Sequence, residues 1–189
     1  MRFTQDWFSA NLSSFELVKS KITPIQNILE IGCFEGRATC WMLQNMLVDD
    51  GLITCVDTFK GSEEHRSMDL LSLELQFRDN VKEAQKSTQT VEILPVSSYN
   101  ALAYLISRES QYDFIYVDGD HSSSGVMTDA CMAFGMLKQG GIMLFDDYLW
   151  KDVPGAINQP KMAVDQFLLM FEGKCQLMML GYQLAIQKI

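Results

Sequence analysis

Residues 27–36 of the chain read Asn27-Ile28-Leu29-Glu30-Ile31-Gly32-Cys33-Phe34-Glu35-Gly36. The apolar residues predict a buried strand, and two glycines four positions apart let the backbone turn tightly and approach a ligand. A helical pattern follows the turn, and the start of such a helix offers free N–H groups. Glu30 needs a partner, because an isolated charge in an apolar strand is costly. The stretch therefore predicts a nucleotide-type ligand at the carboxyl end of a first parallel strand.

The chain has 189 residues, is 48% hydrophobic and carries a formal net charge of −9. These values predict a single domain over residues 1–189 with a full core. The negative charge argues against a nucleic-acid partner, and no apolar run approaches the ~20 residues of a membrane span. The start has no apolar signal-peptide core, and the five cysteines form no Cys-x-x-Cys pair. We therefore expect a cytoplasmic protein with reduced cysteines and a small-molecule partner, while a homo-oligomer stays open.

Helical and strand patterns alternate along the chain, which predicts an α/β protein with a doubly wound parallel sheet and helices on both faces. The predicted strands are 25–31, 52–57, 91–96, 112–118 and 142–145. The predicted helices are 5–21, one after the glycine turn, one from Leu70 to Ala84, one lined by Leu102, Leu105 and Ile106, and 123–137. Asp49-Asp50-Gly51 and Gln139-Gly140-Gly141 are predicted turns before the second and fifth strands. A helix after Pro160 and an antiparallel hairpin near 175–180 and 183–188 complete the prediction.

Acidic residues end four of the five predicted parallel strands: Glu30, Asp57, Asp118 and the pair Asp146–Asp147. Ser97 and Ser98 follow the third strand. Open α/β sheets bind ligands beyond the carboxyl ends of their strands, near the switch in strand order. The sequence therefore predicts a ligand site at this edge, in which Asp57 suits the two hydroxyl groups of a ribose.

The competing ligands are a nicotinamide dinucleotide and S-adenosylmethionine. The dinucleotide fingerprint is Gly-x-Gly-x-x-Gly, but Phe34 stands at the position of its middle glycine. Glu30 and Glu35 would also repel a pyrophosphate. A ligand with ribose, adenine and positive charge but no phosphate fits better, which favours S-adenosylmethionine. A nucleotide-dependent oxidoreductase and a non-catalytic cofactor-binding module remain the alternatives.

The sequence resembles the class I S-adenosylmethionine-dependent methyltransferases, and among them the small Asp-Gly-x-His group related to sugar and antibiotic O-methyltransferases. The matching motifs are Glu30–Gly36, Val56-Asp57-Thr58-Phe59 with Gly61, Tyr112–His121, and Leu137–Tyr148, in which Gln139 replaces a more usual proline. The resemblance covers roughly residues 5–188 in motif order and spacing. It implies a Rossmann-like seven-stranded sheet of order 3-2-1-4-5-7-6 with strand seven antiparallel.

The resemblance also implies where the cofactor lies. Glu30 and the Gly32–Gly36 turn hold its methionyl end, Asp57 its ribose, and Phe59 and Ser98 its adenosine. The implied cofactor-binding residues are Glu30, Gly32, Phe34, Glu35, Gly36, Asp57, Thr58, Phe59, Ser98, Asp118 and Gly119. The acceptor pocket would come from the lead helix and loops 59–69 and 147–161, with aromatic candidates Trp7, Phe59, His65, Tyr148 and Trp150. Ordinary loop packing is the alternative for these aromatics.

The expected reaction is O-methylation of a small molecule such as a sugar or secondary metabolite. A hydroxyl acceptor must lose its proton to a base or to a metal that lowers its pKa. Asp118, Asp146 and Asp147 lie at the ends of neighbouring strands, so they are predicted to share one Mg²⁺. His121 and Asp120 are the candidate catalytic bases, and histidine is better matched to neutral pH. Catalysis without a metal stays open.

Overall fold

The computed structural model describes residues 1–61, 70–151, 155 and 158–189. Across these residues the strands form a seven-stranded sheet of order β3-β2-β1-β4-β5-β7-β6. The strands are β1 Ile25–Ile31, β2 Leu47–Val56, β3 Thr90–Leu94, β4 Tyr112–Val117, β5 Leu137–Phe145, β6 Cys175–Leu180 and β7 Leu184–Lys188. Strand β7 pairs antiparallel with both β5 and β6, whereas the other neighbours are parallel. The predicted strand order and the terminal hairpin are confirmed.

Helices cover both faces of the sheet. They are α1 Leu12–Lys21, α2 Arg37–Asn45, α3 Leu73–Ala84, α4 Ser98–Ser107, α5 Ser123–Met136 and α6 Pro160–Met170. Helices α1 to α3 pack on one face through residues such as Phe15, Leu43 and Phe77. Helices α4 to α6 pack on the other face through residues such as Leu102 and Phe167. In the described chain, no helix is both long and apolar enough to cross a membrane.

The core follows the two-residue period of the strands. Along β1, Leu29 and Ile31 face the core under α4 to α6, whereas Ile28 faces the core under α1 to α3. Because both faces of the sheet are buried, the fully buried part of β1, Ile28–Ile31, is apolar on both faces apart from Glu30, which is 1% exposed. Gln26 and Asn27, near the start of the strand, are only partly buried.

Two predicted turns lie inside strands in the structure. Asp49-Asp50-Gly51 belongs to β2, where Leu47 and Leu52 are opposite Ile25 and Asn27 of β1. Gln139-Gly140-Gly141 belongs to β5, which has a similar irregularity opposite β4. The glycine and polar residues therefore mark extra residues that bulge from a paired strand, and the prediction that they separate elements was wrong.

The predicted lead helix over 5–21 was also wrong at its start. A 3-10 turn occupies Ser9–Asn11, and α1 begins only at Leu12. The residues before the 3-10 turn are not helical and lie along the glycine turn that follows β1. There, the backbone N–H and the side-chain hydroxyl of Thr4 both donate hydrogen bonds to Glu35. Of the three residues predicted to line the fourth helix, Leu102 and Leu105 are buried, whereas Ile106 is 45% exposed.

Candidate active site

Backbone hydrogen bonds bring the strand ends together at one edge of the sheet. Gly32 N donates to Val56 O at 2.8 Å, and Asp118 N donates to Ile31 O at 2.8 Å. Asp146 N continues the series by donating to Val117 O at 2.9 Å. The residues that follow β1, β2, β4 and β5 are thus neighbours in space. The strand order reverses between β1 and β4, where an α/β sheet opens a crevice.

The two glycines of the turn are required by different contacts. Gly32 has a φ of +87°, and a Cβ added there would lie 1.8 Å from the backbone oxygen of Asp118. Gly36 has a φ of +81°, and its Cβ would lie 2.8 Å from the Phe77 ring on α3. Gly32 therefore lets the turn touch the end of β4, and Gly36 lets α2 and α3 pack closely.

Asp57 holds the turn in place. Its Oδ2 accepts hydrogen bonds from the backbone N–H groups of Cys33 and Phe34, both at 2.8 Å. Its Oδ1 accepts one from Phe59 N at 2.7 Å. Because a carboxylate has about four acceptor positions, these three hydrogen bonds leave room on Oδ1 for one ribose hydroxyl group. Asp57 thus organises the turn beside its predicted role in binding the ribose.

Glu30 lies beneath the turn in an apolar environment. Its Oε2 accepts a hydrogen bond from Thr39 Oγ1 on α2, and within the described residues its buried Oε1 has no hydrogen-bond partner. Burial raises the pKa of Glu30 from 4.5 to about 8. Glu30 is therefore mainly protonated at neutral pH, which explains how the strand accommodates it. Its place under the turn is as predicted, but a contact with the methionyl end stays a prediction.

Glu35 is held by the N-terminal segment, residues 1–8. Thr4 N and Thr4 Oγ1 each donate to the Glu35 carboxylate at 2.6 Å. The Trp7 ring lies 5.1 Å from the ring of Phe34. These contacts place the predicted cofactor residues Phe34 and Glu35 beneath the N-terminal segment, which borders this side of the crevice.

The remaining predicted cofactor residues differ in their surroundings. Phe59 is 6% exposed and packs on Phe77 with ring centroids 5.1 Å apart, so its ring belongs to the core. Thr58 is exposed and accepts a hydrogen bond from Lys60 N at 3.2 Å. Ser98 is the first residue of α4. Gly119 directly follows Asp118 at the end of β4 and packs against Ile31.

An acid–histidine cluster lies next to the turn. His121 Nε2 is 3.0 Å from Asp147 Oδ2 and 3.9 Å from Asp118 Oδ1. One ligand atom from each of these three residues lies within 4.8 Å of the others. Two of the predicted metal ligands, Asp118 and Asp147, are therefore brought together with the predicted base. The group combines a potential proton acceptor with carboxylates that can stabilise its charged form.

Asp146, the third predicted metal ligand, is bound by side chains from distant parts of the chain. Oδ1 accepts hydrogen bonds from Gln183 Nε2 and, at 3.3 Å, from Asn11 Nδ2, and Oδ2 accepts one from Tyr116 Oη at 2.9 Å. Burial and the nearby Asp147 raise the pKa of Asp146. Burial and the Asp146 carboxylate likewise raise the pKa of Asp118 well above its usual value. The carboxylates are crowded enough that a proton or a cation would relieve their repulsion.

The other candidate base, Asp120, has a local structural role. It is exposed, and Ser122 donates to its two oxygens from the backbone N–H at 2.8 Å and from the hydroxyl at 2.9 Å. Ser122 in turn caps α5, where its hydroxyl accepts a hydrogen bond from Gly125 N. The geometry therefore favours His121 over Asp120 as the candidate base.

The aromatic residues predicted for the acceptor pocket separate into two groups. Trp150 packs edge-on against His121 with ring centroids 4.7 Å apart, and Trp7 is 52% exposed above the turn. Tyr148 is buried, and its hydroxyl donates to Asp165 and accepts from Lys161. His65 lies outside the described residues. Trp150 and Trp7 thus border the crevice, whereas Tyr148 anchors the loop after β5 to α6.

Backbone strain concentrates around this edge. Among the described residues, the non-glycine residues with positive φ are Phe34, Phe59, Glu109 and Asp147, with values from 47° to 55°. All except Glu109 follow a strand at the site. Such conformations are costly for residues with a Cβ and are often retained at functional sites.

Sequence reasoning missed the tip of the β6–β7 hairpin. Tyr182 Oη donates to Asp147 Oδ1 at 2.6 Å, and Gln183 donates to Asp146. Neither residue belongs to a recognised motif, and the pairing of β7 with β5 decides their position. A tyrosine and a glutamine in a turn next to an otherwise apolar strand were the available signal.

Comparisons with known proteins agree on the fold. A family model described as a methyltransferase domain matches residues 29–148. The tapetum-specific methyltransferase 1 of Arabidopsis thaliana is 26% identical over 156 residues, covering 78% of this chain and 60% of that protein. The chain spans about half the length of the curated relatives it matches.

Two solved structures extend the likeness to almost the whole chain. The O-methyltransferase from Bacillus cereus, in complex with SAH, is 19% identical with a TM-score of 0.70, covering 98% of this chain and 84% of that one. MycE methyltransferase from the mycinamycin biosynthetic pathway, in complex with Mg and SAH, is 15% identical with a TM-score of 0.61. That match covers 99% of this chain and 51% of that one.

Proposed function

Because the chain belongs to the class I S-adenosylmethionine-dependent methyltransferases, we propose that it binds S-adenosylmethionine and methylates a hydroxyl group of a small molecule. The observation that carries the proposal is the contact between Gly32 and Asp118. It joins the glycine turn, which suits a nucleoside ligand, to the cluster that contains His121. A methyl donor on the turn and an acceptor at the cluster would then be neighbours.

The residues fit a positively charged nucleoside better than a dinucleotide phosphate. Phe34 occupies the position where a dinucleotide-binding turn has its middle glycine, and its φ of 47° shows that the turn is nonetheless sharp. Asp57 accepts hydrogen bonds from two backbone N–H groups of the turn and can still accept a hydrogen bond from a ligand. The bound sulfonium supplies an electrophilic methyl group. The chain's contribution is to hold donor and acceptor in line, which can lower the barrier by up to ~7–11 kcal/mol.

His121 is the proposed general base for the acceptor hydroxyl. Its Nε2 lies 3.0 Å from Asp147 Oδ2, so the carboxylate can stabilise the ring once it is charged. Tyr182 donates to the other oxygen of Asp147 and thereby orients it. Trp150 covers one side of the imidazole and excludes water there. These contacts support proton removal from the acceptor hydroxyl.

A divalent cation is the alternative way to activate the acceptor. Asp118, Asp147 and His121 each offer one ligand atom, and the crowding of carboxylates around Asp118 suits a cation. Mg²⁺ prefers a site made only of oxygen ligands, so two carboxylates and one imidazole fit it less well. The same ligand set suits Mn²⁺. A cation held there would lower the pKa of the acceptor hydroxyl. Asp146 would then act mainly by supporting its neighbours.

The proposed acceptor is a small hydroxyl compound such as a sugar or secondary metabolite. The complexes of the O-methyltransferase from Bacillus cereus and of MycE support a cofactor of the S-adenosyl type, and the second supports magnesium in the same fold. The formal net charge of −9 does not favour a nucleic-acid acceptor.

Thermal unfolding with and without ligands tests the cofactor. S-Adenosylhomocysteine should raise the midpoint of unfolding, because a ligand that binds only the folded state stabilises it by mass action. NAD at the same concentration should leave the midpoint unchanged. Stabilisation by NAD alone would favour an oxidoreductase, and stabilisation by S-adenosylhomocysteine without turnover on catechol, phenol and hexose acceptors would favour a non-catalytic module.

Activity with a chelator separates the metal from the base. If a cation activates the acceptor, EDTA should abolish methyl transfer but leave S-adenosylhomocysteine affinity nearly intact, and excess Mg²⁺ should partly restore the Asp147→Asn variant. If His121 acts alone, activity should ignore EDTA and be lost in His121→Ala. Full activity of both variants would overturn both mechanisms.

A further inference from the structure

Glu30, Cys33 and Cys55 form a second group of potential metal ligands, which lies beneath the glycine turn and shares no residue with the acid–histidine cluster. Glu30 and Cys55 are paired neighbours on β1 and β2, and Cys33 follows Gly32 in the turn. One carboxylate oxygen and the two sulfur atoms all lie within 4.8 Å of one another. The three residues are at most 6% exposed, so the fold encloses this group in its interior.

Glu30 brings an unused ligand atom to this group. Its Oε2 accepts hydrogen bonds from Thr39 Oγ1 and, at 3.9 Å, from Cys55 Sγ, whereas Oε1 has no hydrogen-bond partner among the described residues. A buried polar atom without a partner costs about 1–3 kcal/mol, and it is kept where a ligand or another function compensates for it. Thr39 fixes the orientation of the carboxylate, as outer hydrogen bonds do for the ligands of a metal.

The two cysteines bring sulfur ligands that stay protonated until a cation replaces the protons. Cys33 Sγ lies 3.9 Å from Glu30 O and 3.6 Å from Val56 O. Burial raises the pKa of both thiols, so neither is a reactive nucleophile at neutral pH. A bound divalent cation would stabilise two thiolates that water does not reach. The negative charge of Asp57, which accepts a hydrogen bond from Cys33 N at 2.8 Å, also favours a cation.

We propose that Glu30, Cys33 and Cys55 form a binding site for a thiophilic divalent cation such as Zn²⁺, beneath the glycine turn. Zinc–sulfur bonds of about 2.3 Å and tetrahedral geometry place ligand atoms about 3.5–3.8 Å apart, a spacing that the group reaches by closing about 1 Å. Two sulfur ligands favour Zn²⁺ or Cd²⁺ over Mg²⁺. The cation would join β1, β2 and the turn, and binding would release the protons of both thiols and of Glu30 to solvent. The site does not depend on the proposed methyl transfer.

Titration with Cd²⁺, followed by ultraviolet absorbance, tests the site in the reduced, cofactor-free protein. Cadmium bound by thiolates gives a charge-transfer band, whereas cadmium at Asp118, His121 and Asp147 does not, because those ligands contain no sulfur. The wild type should develop this band up to one Cd²⁺ per chain, and Zn²⁺ should displace it. Cys33→Ser and Cys55→Ser should each diminish the band and weaken Cd²⁺ binding at least about tenfold, since serine is a poor substitute for a thiolate ligand.

Cys131→Ser, at a partly buried thiol on α5, is the matched control and should keep both the band and the affinity. Glu30→Gln should keep a thiolate band but weaken Cd²⁺ binding about tenfold, because it removes the carboxylate ligand. A wild type without the band, a band undiminished in either cysteine variant, or an unchanged affinity in Glu30→Gln would overturn the site. Should these variants fail to fold, X-ray absorption of the wild type with one equivalent of Zn²⁺ decides, because the site requires two sulfur ligands at about 2.3 Å. A failure to bind S-adenosylhomocysteine would overturn only the proposed function.

Discussion

At the scale of single residues, two acids of the site stand in opposite environments. Asp57 is partly exposed and accepts hydrogen bonds from three backbone N–H groups around the turn. Glu30 is buried under the same turn with one oxygen unpartnered among the described residues. Hydrogen bonds to a carboxylate favour its charged form, whereas burial favours the neutral form. We therefore predict an effect on cofactor binding for a substitution of Asp57 and an effect on the pH dependence of stability for a substitution of Glu30.

Asp57→Ala should weaken S-adenosylmethionine binding by about 1.5–3 kcal/mol, the usual range for hydrogen bonds to a charged group. The loss has two sources, because the variant removes the predicted ribose acceptor and releases the N–H groups of Cys33 and Phe34. Calorimetry measures the loss, and Asp79→Asn serves as the control for charge alone. An unchanged dissociation constant for S-adenosylmethionine would contradict the predicted role of Asp57 in cofactor binding.

Glu30→Gln should change how stability depends on pH. The pKa of Glu30 rises from 4.5 to about 8 on folding, so the folded state binds a proton more tightly. The free energy of unfolding therefore falls as pH increases between these values, at up to about 1.4 kcal/mol per pH unit from this group. The variant lacks this term and should lose less stability between pH 5 and 8.

Urea denaturation of both proteins at several pH values measures this difference. The comparison must be made between wild type and variant, because Asp118 and Asp146 also titrate with raised pKa values. Parallel curves for the two proteins over this range would show that Glu30 is not buried in its neutral form.

At the scale of elements, the turn between β1 and α2 depends on a contact with β4. Gly32→Ala should destabilise the protein by more than about 3 kcal/mol or prevent folding, because the new Cβ would lie 1.8 Å from the backbone oxygen of Asp118. The φ of +87° adds strain for any residue with a Cβ. Thermal unfolding gives the measurement.

Gly135→Ala, in a different element, is the matched control for the glycine-to-alanine change. Gly135 lies in α5, and a Cβ added there would meet nothing within 4 Å. The substitution should stabilise the protein by about 0.4–1 kcal/mol, because alanine loses less backbone entropy in a helix. Equal effects at the two positions would contradict the proposed contact between the turn and β4.

At the scale of the whole molecule, Asp146 connects parts of the chain that are far apart in sequence. Its donors come from Asn11 near the N-terminus, Tyr116 on β4 and Gln183 at the hairpin tip. Tyr116→Phe should cost about 1.5–3 kcal/mol of stability, since it removes a hydrogen bond to a carboxylate. It should also lower methyl transfer, because Asp146 adjoins Asp118 and Asp147.

Tyr112→Phe provides the comparison on the same strand. Tyr112 is as buried as Tyr116, but its hydroxyl donates to the neutral Thr54 Oγ1 at 3.2 Å. Its loss should cost only about 0.5–1.5 kcal/mol and leave activity unchanged. Urea denaturation and an activity assay on both variants test the pair, and a larger effect of Tyr112→Phe would contradict the proposed role of Asp146.

The alternation of strands and helices, the terminal hairpin and the acids at the carboxyl ends of the strands were predictable from the chain alone. These features depend on local periodicity and on acids that directly follow strands, and both can be read along the chain. The strand order, in contrast, was predicted only from the resemblance of the motifs to those of the methyltransferases. Predicted turns at Asp49–Gly51 and Gln139–Gly141 failed because local turn residues do not reveal whether a neighbouring strand pairs across them.

Which acids contact His121, and which are held by other side chains, depends on how distant parts of the chain pack together. Asp147 lies at hydrogen-bonding distance from His121, whereas Asp146 is bound by Asn11, Tyr116 and Gln183. The two acids are adjacent in sequence with the same chemistry, so no local pattern separates them. Their difference follows from the backbone conformation at Asp147, with its φ of 48°, and from the pairing of β7 with β5. Both are products of long-range packing, which the order of residues along one segment does not specify.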